Sequence, residues 1–252
     1  FVGTDSFTYT SRDNGPGGGL TTDATVTISV VRPDGNIATI WYVNNGHGVA
    51  GTGTSTDPFQ SLGSVAAVDD ASDIIYVNSS GTTYAVGTTL EASEQLLGEG
   101  VALNVTLATV SRTLAAAGSR PTIGGGGVGL NSGNTVRGLN VAGTSGIVGA
   151  SVGQLTIDQV DVSSTSGPAL DLQGGNAISV NIGTVTKTGV GGGGNGVVLS
   201  APSGTSTITL GTVTITTSSG TGVNLASLSG TSTSTLSNVT VTNTGGAGVN
   251  AS

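Results

Sequence analysis

Fourteen carboxylates, six basic side chains and one histidine are all the charge chemistry that these 252 residues offer, and they are thinly spread. Acid–base catalysis needs titratable groups that converge. After Glu99 the acidic residues are Asp158, Asp161 and Asp171, the lysine is Lys187 and the histidine is His47. Asp158 and Asp161 stand three apart on one strand, so simple alternation puts them on opposite faces. They are poor partners for shared proton transfer unless a bulge intervenes. No catalytic residue is assigned, and the chain is not expected to be an enzyme.

The densest acidic cluster is Asp69-Asp70 with Asp73 close by. Hard cations such as Ca²⁺ take oxygen ligands, which makes these three the candidate metal residues. The plainer reading is the solvated end of a short helix followed by a turn, and the spacing fits no EF-hand loop. The loop from Asn44 to Asp57 is a second oxygen-rich candidate, with His47 as a surface turn residue. Gly124–Gly127 and Gly191–Gly194 lack the Lys-Ser/Thr and the helix of a phosphate-binding loop, and read as corners. Trp41, Tyr42, Tyr76 and Tyr84 could line a glycan shelf, but packing is the favoured reading.

What positions these residues is a repeat. Val128, Ile147, Leu170, Val197, Val223 and Val249 each open a short apolar triplet, at spacings of 19, 23, 27, 26 and 26. A longer pattern, TVRGLNV, TIDQVDV, NIGTVTK, TLGTVTI and TLSNVTV, keeps step with it. Its leading residues Val136, Ile157, Ile182, Leu210 and Leu236 are spaced by 21, 25, 28 and 26. Two patterns in step at about 25 residues mean one unit repeated along an axis. Gly and Ser/Thr runs between them are turns, and the apolar residues alternate as in strands. The expected fold is all-β, a right-handed parallel β-helix (solenoid) about 40 Å long.

That register carries further expectations. Val136, Ile157, Ile182, Leu210 and Leu236 stack as one inward column, and Leu139, Val160, Val185, Val213 and Val239 as another. Arg137 and Asp158 become outward neighbours in adjacent coils. Lys187 falls in line with the inward Val141, Val162, Ile215 and Val241, where an unpaired ammonium is costly. The strand is expected to bend outward there, or the side chain to snorkel.

Composition agrees with many short strands. Glycine is 45 of 252 residues, charged residues are 8%, and there is neither Cys nor Met. Six prolines and this much Val, Ile and Leu argue against disorder. A net charge of −8 from so few groups argues against a nucleic-acid partner. No stretch is apolar for long enough to be a transmembrane segment. Beginning at Phe1 and stopping within a repeat at Ser252, the chain reads as an interior piece of a longer precursor.

Residues 1–32 differ from the rest. Asp5–Ser11 and Ala24–Val31 read as two alternating strands around a Gly-rich connection. Phe7 and Tyr9 give one apolar face and Val26, Ile28 and Val30 another, too little to be buried alone. These five are the candidate assembly residues. The segment GTDSFTYT…DATVTI resembles the final hairpin of the immunoglobulin-like or cadherin-like modules of bacterial adhesins. Residues 38–105 resemble the capping start of bacterial right-handed parallel β-helix proteins. The motifs are Trp41–Val43, Asp57–Phe59, a short helix over Ser61–Val68 with Leu62, Val65, Ala66 and Val68 on one side, Asp73–Val77 and Leu96–Gly100.

The domain reading is a hairpin over 1–32, a cap and first coils over 33–105, and regular coils over 106–252. The resemblances imply a non-catalytic structural segment of a large exported bacterial surface protein, an adhesin stalk or extracellular filament subunit. Self-association head to tail, or continuation into a longer chain, is the implied partnership. A glycan-binding module is the second reading and a polysaccharide lyase or hydrolase the third.

Overall fold

The structure, a computed structural model, describes residues 3–12, 21–30, 39–107, 110–189, 194–217, 220–227, 229–243 and 246–252. The Arg32–Gly35 corner and Gly191–Gly193 lie outside the described residues. The chain is all-β with two long parallel sheets and one short helix among the described residues, an arrangement compatible with a β-helix or solenoid.

It opens on an antiparallel hairpin, β1 (Gly3–Arg12) and β2 (Thr21–Val30). Then come β3 (Ile40–Val43), the single-turn helix α1 (Leu62–Val65), β4 (Ile74–Val77), β5 (Thr88–Thr89) and β6 (Gln95–Gly98). A second antiparallel hairpin, β7 (Leu103–Leu107) with β8 (Val110–Ala115), follows. The parallel strands resume with β9 (Thr122–Ile123), β10 (Val128–Gly129), β11 (Thr135–Arg137), β12 (Asn140–Gly143) and β13 (Ile147–Gly149). The last are β14 (Gln154–Ser164), β15 (Leu170–Gly175), β16 (Ala177–Lys187), β17 (Val197–Pro202), β18 (Thr207–Thr217), β19 (Val223–Ala226), β20 (Thr233–Asn243) and β21 (Val249–Ala251).

From β12 onward the strands fall alternately into two ladders. One runs β5-β10-β13-β15-β17-β19-β21, the other β3-β4-β6-β11-β14-β16-β18-β20 with β9 and β12 beside it. In the first ladder Val128, Ile147, Leu170, Val197, Val223 and Val249 pair in sequence, as the repeat spacing requires. Inward residues of both ladders join one apolar cluster, from Val43 and Leu62 to Ile215 and Val223.

The second ladder departs from the expected register between β14 and β16. Val136 pairs with Ile157, but Ile157 pairs with Val180, and it is Val160 that meets Ile182. Ile182, Leu210 and Leu236 then pair as expected, as do Val185, Val213 and Val239. The single predicted column is therefore two offset columns. The offset between β14 and β16 is 23 residues, from Gln154–Ala177 to Ser164–Lys187, where 25 was expected. Only Val160 departs from it, because the bulge at the left-handed Gln159 (φ 55°) adds one residue to β14 and β16 adds one back between Ile182 and Val185. Near the far edge Asn238 (φ 48°) takes the same conformation in β20.

The β7–β8 hairpin was not expected, and the boundary placed at residue 105 falls inside it. It explains why Leu96 and Val136 pair across 40 positions, well over one repeat. The hairpin lies over the outward side of the first coils. Leu103 and Ala115 close a second small core with Ile74, Tyr76 and Leu97, beside Ile40 and Tyr42.

The helix is shorter than expected. Ser61 caps it by accepting the Gly63 N–H on its hydroxyl, and Leu62 and Val65 enter the main core. Ala66 and Val68 are exposed, because the chain tightens into turns after Val65 and leaves the helical track. The loop before it hydrogen-bonds the outer edge of β3: Tyr42 N to Gly53 O, Phe59 N to Tyr42 O and Asn44 N to Phe59 O, at 2.9, 2.9 and 2.7 Å. At the other end no described strand lies beyond β20 and β21. Leu236, Val239 and Val241 are partly or largely exposed there, while Leu210, Val213 and Ile215 one coil earlier are buried.

Candidate functional site

The acidic cluster is a corner device. Asp73, Glu94 and Asn134 each precede a strand of the second ladder, and the pairing of Ile74 with Gln95 and of Gln95 with Thr135 stacks them. All three are buried. Each accepts on a side-chain oxygen the backbone N–H three residues earlier: Asp70 N to Asp73 Oδ2 at 3.1 Å, Glu91 N to Glu94 Oε2 at 2.6 Å, Asn131 N to Asn134 Oδ1 at 2.6 Å. The third turn residue is left-handed in every case, Ser72, Ser93 and Gly133. Such a side-chain turn satisfies an N–H that the corner would otherwise orphan. The recurring signal is Asp-x-x-Asp, Glu-x-x-Glu, Asn-x-x-Asn at 70–73, 91–94 and 131–134, which the repeat reading passed over.

Asp73 has no oxygen to spare. Oδ1 accepts the Thr39 N–H and Oδ2 accepts the Trp41 indole N–H, both at 2.8 Å. Among the described residues no three ligating side chains converge as a metal site, so Asp69, Asp70 and Asp73 are not brought together. Asp69 faces Glu94 instead. Burial raises both carboxyls, Glu94 to about 8, and the neighbouring charges of Asp69 and Glu91 add to the rise on Glu94. Glu94 Oε1 is buried with no hydrogen-bond partner in ordinary reach. Burial and the neighbouring carboxyls thus favour the protonated form of Glu94.

A bulge does intervene between Asp158 and Asp161. Gln159 resets the alternation, so both carboxylates sit outward while Ile157, Val160 and Val162 point in. They do not form an acid–base pair, because each is neutralised by its own arginine. Arg137 meets Asp158 at 3.0 Å and Arg120 meets Asp161 at 2.8 Å. Asp158 also accepts from Asn181 Nδ2, and Asp161 from the Thr184 N–H and hydroxyl. Burial pushes Asp158 upward, but hydrogen bonds from Asn181, Arg137 and Gln159 outweigh it and hold the pKa below the ordinary value.

Lys187 neither bends outward nor snorkels. It is fully buried, aligned with Ser164 and Ile215, and Nζ donates to the Ser166 and Gly167 carbonyls at 2.7 Å each. Two turn carbonyls supply the partners that a missing carboxylate would have given, and burial lowers the pKa. The expected alignment with Val162 is lost to the register slip.

His47 Nε2 lies 3.0 Å from Asp57 Oδ1, while Asp57 Oδ2 accepts from the Thr52 hydroxyl and N–H, and the carboxyl is held below its usual pKa by Thr52 and then His47. The four aromatic residues pack. Trp41 stacks on Phe59 with centroids 5.8 Å apart, and Tyr42 meets Tyr76 edge-on. Tyr84 is buried, its hydroxyl donating to Asn78 O at 2.6 Å, and burial pushes it up to about 12. Gly124–Gly127 form a corner between β9 and β10.

In the N-terminal hairpin Phe7 pairs with Val26 and Tyr9 with Ala24, so these residues share one side, and the two separate apolar faces expected from sequence merge there. Phe7 and Tyr9 are about half exposed. Ile28 pairs with Asp5 and Val30 with Gly3, while the Ile28 and Val30 side chains lie outside the described residues. No described helix is long and apolar enough to cross a membrane. The chain matches no protein-family model, no curated protein and no solved structure.

Proposed function

We propose that this chain is a non-catalytic structural segment of a large exported bacterial surface protein, an adhesin stalk or extracellular filament subunit. In this reading the two ladders are the faces of a right-handed parallel β-helix. The supporting observation is the contrast between its ends. At β3 the 51–59 loop takes up the strand edge and α1 covers core residues, as a cap would. Among the described residues no strand pairs the far edges of β20 and β21, and inward positions that are dry one coil earlier meet solvent there. Unpaired parallel edges recruit further strands. Another coil, from the same chain or a second copy, would cover them.

The hairpin side bearing Phe7, Tyr9 and Val26 is the second contact surface in this reading. A head-to-tail joint between it and the open end does not close on itself, and so builds a fibre. Electron microscopy and sedimentation of the 252-residue chain, of a chain lacking residues 1–31 and of a Phe7→Ser/Tyr9→Ser variant test this. The joint requires self-association that both changes weaken. Fibres unaltered by the deletion would remove the hairpin from the joint, and a strictly monomeric wild type would remove the filament reading. A glycan array and a reducing-sugar assay on acidic polysaccharides test the binding and catalytic alternatives.

A further inference from the structure

The outward side of the last two strands of the second ladder carries neither charge nor aromatic ring. β18 turns Thr207, Thr209, Thr212, Thr214 and Thr216 outward, between the buried Ile208, Leu210, Val213 and Ile215. In β20 Thr233, Thr235, Thr240 and Thr242 pair with Thr207, Thr209, Thr214 and Thr216. Within each half of the face, Thr207–Thr209 with Thr233–Thr235 and Thr214–Thr216 with Thr240–Thr242, parallel pairing repeats the hydroxyls about 4.8 Å apart between strands and about 6.6 Å apart along a strand. The shift at Thr212 and Ser237, beside the left-handed Asn238, separates the halves. Threonine is common on any exposed strand, because a branched side chain suits a pleated surface. Two observations go beyond that preference.

The first is where charge stops. The same face carries Arg137, Asp158 and Asp161 two and three coils earlier, and nothing ionisable in β18 or β20. The second is what the hydroxyls do. At the corners Ser203, Ser229 and Thr231 donate to the chain's own carbonyls. Among the described residues the outward hydroxyls of β18 and β20 have no such bond, so they are available to a partner. Each is fixed in place, since a β-branched side chain flanked by copies of itself has few rotamers.

The partner must therefore be uncharged, periodic in two directions and rich in hydrogen-bonding oxygen. Anionic polymers need cations that this face lacks. A soluble sugar needs a concave pocket with placed polar groups or a stacking ring, and among the described residues neither is present on this face. Crystalline water meets all three requirements, as hexagonal ice repeats its oxygens at spacings of this order. We propose that the outward threonine lattice of β18 and β20 is an ice-binding surface. Methyl groups order the water layer and hydroxyls join it to the lattice. A preformed rigid array loses little freedom on docking. This surface needs only the strand pairing described above and stands apart from the assembly proposal.

The test uses the 252-residue chain in ice-affinity partitioning and in an ice-recrystallisation assay. Thr214→Lys/Thr235→Lys places two charges within the lattice, and Ser151→Lys places one at an exposed corner away from it. Circular dichroism melts check that all three proteins are folded. Wild type and the corner variant should enrich in ice and slow grain growth, and the lattice variant should lose at least tenfold in both. Exclusion of the wild type from ice, or a lattice variant that partitions as the wild type does, overturns the proposal. Retention on crystalline cellulose with exclusion from ice overturns it in favour of a polysaccharide surface. Lysine-sensitive self-association with exclusion from ice overturns it in favour of a second copy.

Discussion

Glu94→Gln should remove most of a fall in stability that the wild type shows as pH rises from about 4.5 to about 8. Glu94 is held at about 8 in the folded chain against an ordinary 4.5. Below 4.5 both folded and unfolded chains hold the proton. Between 4.5 and 8 the folded chain keeps it while the unfolded chain releases it, so folding stability falls as pH rises, by about 1.4 kcal/mol per pH unit. Above 8 both forms have lost the proton and the decline stops. The total is on the order of 5 kcal/mol, and Asp69 beside it, raised by burial too, acts in the same direction. Glutamine keeps an oxygen for the Glu91 N–H and offers an amide donor toward Asp69, imitating the protonated acid without its titration. The assay is urea unfolding between pH 5 and 9, followed by fluorescence of the single tryptophan. Trp41 hydrogen-bonds Asp73 at the next corner of the stack, so it reports on these coils. A wild type with flat stability across this window, or a Gln variant that declines as steeply, would refute the account.

Removing Asp73 should be costly: Asp73→Ala strands the Thr39, Asp70 and Trp41 N–H groups and should lose about 3 kcal/mol by urea unfolding. Because that carboxylate is fully engaged, EDTA or millimolar Ca²⁺ should leave the melting temperature unmoved. Lys187, the one lysine, should resist amine-reactive labels in the native chain, as mass spectrometry after digestion will show. Lys187→Met should cost about 1 kcal/mol, the Gly167 carbonyl keeping its bond from the Ser164 hydroxyl, while Lys187→Ala opens a cavity and should cost about 3 kcal/mol. Arg137→Ala should cost no more than about 1 kcal/mol in thermal unfolding, since the ion pair is 40% and 29% exposed on its two sides.

The repeat was legible wherever one inward residue per coil is unambiguous. Val128 to Val249 could be placed because a Gly-rich corner precedes each member and resets the count. The longer strands were legible only up to their bulges. Nothing in TIDQVDV marks Gln159 as left-handed, a conformation that costs a non-glycine residue energy and is fixed by packing on both sides. One such residue turned two carboxylates to the same face, while a β14–β16 offset of 23 residues rather than 25 placed Lys187 in the Ser164 row instead of the Val162 row. The buried lysine was misjudged because its partners are main-chain carbonyls of a turn, invisible in side-chain chemistry. The β7–β8 hairpin hid for the opposite reason, since its alternation continues the strand pattern and only the 40-residue gap betrays it. The outward Arg137–Asp158 contact was foreseen, lying before the slip.

Strands that lie across the direction of stacking make the ladder a series of latches under tension. A load drawn along the stack from β21 toward β3 falls on the hydrogen bonds of one coil boundary at a time, because each strand of a ladder is held only by the strands on either side of it. Coils should then peel off singly from the unpaired edge. Each would release about 25 residues, or roughly 85 Å of slack, before the next boundary takes the strain. Elastic yielding in equal steps would let such a segment absorb sudden stretching without parting.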